Sequence, residues 1–221
     1  KRTVRETALR HGIFATFMAK PMEREPGSAM HIHQSLVDAE TGRNIFSKAD
    51  GSASDLFTHY IGGLQKYVPQ VMPMLAPYVN SYRRLSRFMS APINVQWGYD
   101  NRTCGIRIPK STPENRRVEN RVPGVDVNPY LAMAATLACG YLGMVEKITP
   151  TDPMHSSAWD LDFELPNHLE DAIKRMRSCD ALAEVLWPEF VSAFCAVKEL
   201  EYATYNRVIS SWEREHLLLL V

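Results

Sequence analysis

The sequence predicts an α+β fold, an antiparallel β-sheet with packed helices. Three observations carry this. Short segments with the two-residue alternation of a half-buried strand occupy the chain up to Val122. Segments of helical period fill the last third. Between them lies a long segment that is apolar on most faces, as a buried helix is. Strands first and helices later favour this class over a doubly wound parallel sheet. The 221 residues allow one large domain or two small ones.

Taken in order, Lys1 to His11 reads as the inside of a helix without a start signal, as in a fragment of a longer chain. Ile13 to Ala19 is a short β-forming run before Pro21 and predicts a strand. Ala29 to Val37 alternates and predicts a second, with a turn at Glu40–Asn44. Ser54-Asp55 caps a helix from Leu56 to Tyr67, and Pro69, Pro73 and Pro77 break or kink the segment after it. Asn80–Leu85 is therefore expected in a loop. Ile93–Tyr99 and Thr103–Ile108 predict a strand and its returning partner around Asp100-Asn101. Arg116–Val122 is a further strand, closed by Pro123-Gly124. Asn128-Pro129 opens the apolar helix, which runs to about Lys147. Pro150–Leu165 is a polar loop, and helices follow at His168–Arg177, Asp180–Val185 and Glu189–Ser210.

Formal net charge is +0, so no overall field directs the chain toward nucleic acid or an acidic membrane. No apolar run approaches the roughly 20 residues of a membrane span; the tail Leu217–Val221 is far too short. Cys104, Cys139, Cys179 and Cys195 are widely spaced without a C-x-x-C pair, and read as reduced, mostly buried thiols of a cytoplasmic protein.

Four polar clusters carry chemistry. His31 and His33 stand two apart after Gly27-Ser28, so both point to one face of a strand while Met30 and Ile32 pack behind. The pair fits either two half-exposed histidines that bind nothing or ligands for a divalent metal. In Arg116–Val122, alternation sets Arg117, Glu119 and Arg121 on one face. That row fits a surface ion-pair ladder, or a metal on Glu119 flanked by arginines for phosphate or carboxylate. In Asn101–Pro109, Arg107 faces away from Ile106 and Ile108, Gly105 leaves room beside it, and Arg102 sits at the turn. Arg84 lies in Asn80–Leu85. Each cluster alone is compatible with plain surface. Together, five arginines, two histidines and one carboxylate suggest metal-assisted phosphoryl transfer, without a Walker-type glycine loop or a kinase signature.

At these residues the chain resembles the C-terminal, catalytic portion of the glutamine synthetase family. The matching segments are Ala15–Pro21, Gly27–Leu36, Asn80–Leu85, Asn101–Pro109, and Arg116–Arg121 running into Pro123-Gly124 and Asn128–Leu131. The resemblance covers essentially the whole chain. It implies a catalytic-domain fragment over residues 1–221, lacking the family's N-terminal β-grasp domain and first catalytic strands, and inactive by itself. In that family ATP phosphorylates the side-chain carboxylate of glutamate, and an amine displaces phosphate. By resemblance, His31 and Glu119 are ligands of Mg2+ or Mn2+, and His33 and Ser35 lie against ATP. Arg102, Arg107 and Arg117 contact its phosphates and stabilise the transferring group. Gly27, Arg84 and Arg121 hold glutamate. The implied partners are these small molecules and, for the full-length protein, a ring-shaped homo-oligomer, with no nucleic acid or membrane.

Three departures from the family pattern stand out. Ammonia-using members carry a glutamate before Ala-Pro, where this chain has Ser90 in Arg87–Pro92; serine cannot take a proton from ammonium. The Asn-Gly-Ser-Gly approach is changed to Pro26-Gly27-Ser28-Ala29. Phe163 stands in place of a tyrosine that some bacterial members adenylylate, so that regulation is not expected. The wording of Asn115–Arg121 and of Trp212–His216 is closest to the γ-glutamylpolyamine (γ-glutamylputrescine) synthetase branch, which implies an amine larger than ammonia. An ammonia-using enzyme, a non-catalytic family member and an unrelated arginine-rich binding module are the alternatives.

Overall fold

The computed structural model describes residues 1–87 and 90–220. Its elements are α1 (Arg2–Arg10), β1 (Ile32–Gln34), α2 (Asp55–Tyr67), α3 (Met72–Leu75), α4 (Val79–Arg84), β2 (Trp97–Tyr99), β3 (Ile106–Ile108), β4 (Val118–Asn120), α5 (Pro129–Val145), α6 (Leu169–Arg177), α7 (Asp180–Leu186), α8 (Pro188–Tyr205) and α9 (Ser211–Leu217). Four short strands form one sheet in the order β1-β4-β3-β2. The α+β class holds. The β1–β4 and β4–β3 pairings are antiparallel, and the β3–β2 pairing is parallel rather than a returning hairpin. The strands are only three residues long. Residues 100–105 therefore suffice to carry the chain back to the start of β2 before β3 begins.

Helices cover one face of the sheet. Ile32, Ile106, Ile108, Val118 and Val122 point into the core, where α2 and α5 pack on them. Polar groups on that face are paired: Asn120 donates to Thr136 of α5 at 3.1 Å, and Tyr60 of α2 donates to Gln34 at 2.6 Å. The opposite face carries His31, His33, Arg107 and Glu119.

Helix boundaries follow from capping chemistry. Ser54 accepts from the Phe57 N–H at the start of α2, and Asn128 accepts from the Tyr130 N–H at the start of α5, with Pro129 at the first turn. Two further expectations fail. Ile13–Ala19 is not a strand, because no neighbouring strand pairs with it. Ile13 and Phe14 are exposed, and Phe17 lies under the cationic groups of Lys1 and Arg5. Asn80–Leu85 is not a loop, since it forms α4, tied down by contacts to distant segments. The helix expected over Glu189–Ser210 ends at Tyr205, and a further helix, α9, follows it, opened by a reciprocal cap between Ser210 and Glu213. All four cysteines are free thiols, three of them buried. No described helix is long and apolar enough to cross a membrane.

The α2–α5 contact depends on glycine. A Cβ on Gly63 would lie 2.6 Å from the Gly143 Cα, and one on Gly143 would lie 2.5 Å from the Gly63 Cα. Backbone packs on backbone here, and neither partner can rotate away. Gly143→Ala is expected to lower the urea midpoint: overpacking costs about 1–3 kcal/mol, outweighing the ~1 kcal/mol gain in helix propensity. A raised midpoint would contradict this packing.

Candidate active site

The open face of the sheet gathers its charges around Glu119. In the β1–β4 register Glu119 stands directly opposite His33, and in the β3–β4 register opposite Arg107. Alternation along the chain adds His31 and Arg121 to the same side. Glu119 Oε1 accepts from Arg121 Nη1 at 2.7 Å and lies 3.0 Å from His31 Nδ1 and 4.0 Å from His33 Nε2. Its Oε2 accepts from Arg107 Nη1 at 2.6 Å. The carboxylate is only 2% exposed, roofed by its own partners. Burial pushes its pKa up. The hydrogen bonds from His31 and Arg107, with the charges of Arg121 and Arg107, outweigh burial and hold it well below the usual carboxylate range.

A second ring surrounds this one. Arg107 Nη2 donates to Asp100 Oδ1 at 2.8 Å, so this guanidinium bridges two carboxylates. Asp100 sits in a left-handed turn (φ 49°) after β2 and also accepts from the Lys110 N–H at 3.1 Å. Arg117 Nε donates to His33 Nδ1 at 3.3 Å. Burial lowers the His33 pKa, helped by the Arg117 charge and opposed by Glu119.

The glutamate-side residues converge separately. A Cβ on Gly27 would meet the Ala19 carbonyl oxygen at 2.5 Å and Arg84 Cγ at 2.7 Å, so only glycine lets the chain pass. Arg84 is 3% exposed and donates to the carbonyls of Arg121 (3.0 Å) and Val122 (2.9 Å). Burial lowers its pKa to about 10, which leaves it charged at neutral pH. Its terminal nitrogens thus hold the end of β4, and through it Arg121.

Two predicted residues stand apart. Arg102 is exposed on the turn between β2 and β3, and Ser35 is exposed beyond β1. Neither makes a hydrogen bond or ion pair among the described residues. Ser90 is exposed in a left-handed conformation (φ 63°). The rest of its predicted segment includes residues 88 and 89, outside the described residues. The sequence reading missed Asp100, seen only as a turn residue, and Arg116. The latter turns away from the site to bond Phe46, Ser47, Gly51 and Ser52, with its guanidinium over the Phe57 ring.

An imidazole and a carboxylate at 3.0 Å suit a divalent cation in kind. Among the described residues, no group of three or more His, Cys, Asp or Glu is placed to hold one. The donor set therefore fits in part, as two ligands of a larger cage. Thiol chemistry has no support: burial pushes the Cys104 thiol up to about 11 and raises that of Cys139 as well.

Comparison with known proteins supplies the family. Residues 1–217 match the family described as "Glutamine synthetase, catalytic domain". The chain belongs to the glutamine synthetase family. Among curated family members, the gamma-glutamylputrescine synthetase of Escherichia coli K12 is 37% identical over 99% of this chain and 46% of its own length. A type-1 glutamine synthetase of Dictyostelium discoideum is 35% identical over the whole chain and 44% of its own length. A solved structure described as a GmaS/ADP complex superposes with a TM-score of 0.86 at 31% identity, over 98% of this chain and 52% of its own. The chain thus spans about half the length of the family members it matches.

Removing the central charge should cost stability first. Glu119→Gln leaves the buried Arg121 without its anion and Arg107 with Asp100 alone, and is expected to lose about 3–5 kcal/mol in urea denaturation. His31→Ala, whose histidine is about one-third exposed, should lose under about 1 kcal/mol. Equal losses for the two variants would contradict a network centred on Glu119.

Proposed function

We propose that the protein from which this chain comes is an ATP-dependent ligase joining the γ-carboxylate of glutamate to an amine, through a γ-glutamyl phosphate. A carboxylate oxygen of glutamate attacks the γ-phosphorus of ATP and ADP leaves. The amine nitrogen then attacks the acyl carbon, phosphate leaves, and the nitrogen gives up a proton to form the amide. The observation that carries this reading is the sheet face itself. One buried carboxylate is held by two arginines and an imidazole, with a second histidine–arginine pair beside it, in a chain of the glutamine synthetase family.

In this reading Arg102, Arg107 and Arg117 take the phosphates of ATP, and His33 and Ser35 line the nucleotide. Fixed guanidinium groups aimed at the transferring phosphoryl group stabilise charge that develops there. Gly27 and Arg121 hold glutamate, with Arg84 behind them. His31 and Glu119 are the residues that would hold Mg2+ or Mn2+, which neutralises phosphate charge when bound. A similar solved structure is described as a GmaS/ADP complex, which supports an adenine nucleotide as a ligand of the family. In this reading the protein works in the cytoplasm, where ATP and glutamate are abundant, and a ring-shaped homo-oligomer is the assembly proposed for the full-length protein.

We take the amine to be an alkylamine or polyamine such as putrescine. Two points support this: Ser90 stands where ammonia-using members carry a proton-accepting glutamate, and one similar family member is a gamma-glutamylputrescine synthetase. A glutamine synthetase matches nearly as well, so overall identity does not separate the two acceptors.

The full-length protein, assayed for phosphate release with ATP, glutamate and Mg2+ or Mn2+, decides between them. Alkylamines or diamines are expected to give a kcat/KM at least ~10-fold above that of ammonia. Stimulation by ammonia alone would overturn the acceptor assignment. His31→Ala and Glu119→Ala are each expected to lower metal-dependent ATP turnover by about 100-fold or more; wild-type turnover in both would overturn the metal assignment.

A further inference from the structure

The short helix α4 joins the residues assigned to glutamate. Three of its side chains reach three separate segments. Asn80 clips the Lys20 backbone in both directions, accepting from its N–H and donating to its carbonyl, each at 2.9 Å. The neighbouring Ala19 carbonyl accepts from the Ser28 N–H at 2.8 Å and abuts Gly27. Arg84 bonds the carbonyls of Arg121 and Val122. Ser81 accepts from the Tyr78 N–H at 3.0 Å and donates to Asp126 Oδ2 at 2.6 Å. Gly27, Arg84 and Arg121 therefore share one six-residue scaffold.

Asp126 lies outside the site, with the cations Arg84 and Lys1 nearby. Its Oδ1 is buried without a hydrogen-bond partner, and a Cβ on Gly124 would strike that oxygen. Burial raises its pKa, while the Ser81 hydrogen bond and the charges of Arg84 and Lys1 oppose the rise. A buried carboxylate with one idle oxygen is costly, and an apolar side chain would fill the space more cheaply. What the carboxylate supplies is an acceptor for Ser81, the anchor at the opposite end of α4 from Arg84.

We propose that Asp126 is a positioning residue for the glutamate-binding groups, acting through Ser81 to fix α4 so that Arg84 and Gly27 stand against the end of β4. This rests on the reading of Gly27, Arg84 and Arg121 as the residues that hold glutamate. Asp126 touches none of the reacting atoms. Its effect is selective: displacing α4 disturbs the glutamate side and leaves Arg107 of β3 and Arg117 in place.

Steady-state kinetics of the full-length enzyme tests this. Asp126→Ala is expected to raise the KM for glutamate about 10-fold, with the KM for ATP held within about twofold. Asp126→Asn keeps an acceptor oxygen in the same place and is expected to restore the glutamate KM to within about threefold of wild type. Ser81→Ala cuts the same link from the other side, should reproduce the split, and serves if Asp126→Ala does not fold. Equal rises in both KM values, or a wild-type glutamate KM in Ser81→Ala, overturn the proposal. Arg121→Gln runs in parallel. An unchanged glutamate KM there refutes the site assignment. A raised one, with Asp126→Ala and Ser81→Ala at wild-type values, refutes the positioning role alone.

Discussion

The structure turns on the carboxylate of Glu119. Three strands meet at it: β4 supplies it, β3 sends Arg107 and β1 sends the histidines. A one-residue slip in either pairing would turn these side chains to the helix face and leave a buried charge without partners. The ion pairs and the strand register are therefore one constraint. The apolar face enforces the same answer, because Val118 and Asn120 must point to the helices for Glu119 to point away. Local pattern, packing and electrostatics agree, as they must for a unique sheet of such short strands.

The network also shows what the site does before any substrate arrives. Arg107 is shared between Glu119 and Asp100, and Arg121 is aimed at Glu119 from within the same strand end. Guanidinium groups held this way lose little conformational freedom when they meet an anion. Their charges are also partly spent, so they are restrained donors and not free ones. Arg102 is the contrast, exposed on a turn with no partner among the described residues.

Much of this could be read from the residues. Alternation at His31/His33 and at Arg117/Glu119/Arg121 gave the common face, because a strand's two-residue period is geometric and needs no tertiary knowledge. Ser54, Asn128 and Pro129 marked helix starts through chemistry local to each turn. What was not legible is long-range. Ile13–Ala19 has strand composition but no strand beside it. α4 has three prolines upstream and helical form only because Asn80, Ser81 and Arg84 are held by segments distant in sequence. The parallel β2–β3 pairing hid for the same reason: Asp100-Asn101 looks like a hairpin turn, while Asn101 in fact bonds the Ser156 carbonyl at 2.8 Å and Thr103.

The antiparallel pairing of β1 with β4 has a kinetic meaning. His31 and Arg121 are 90 positions apart in the chain, and His33 and Arg117 are 84 apart. Everything between them must be looped out before these side chains meet. Such separation makes the joining of β1 to β4 a long-range step with a high loop-closure cost, as is the docking of α2 on α5, although each of those helices is encoded locally. Within the cluster, Arg121 and Glu119 are only 2 positions apart and Arg107 and Glu119 12, so the histidines are the members that must come from afar. They meet the carboxylate only when β1 pairs with β4.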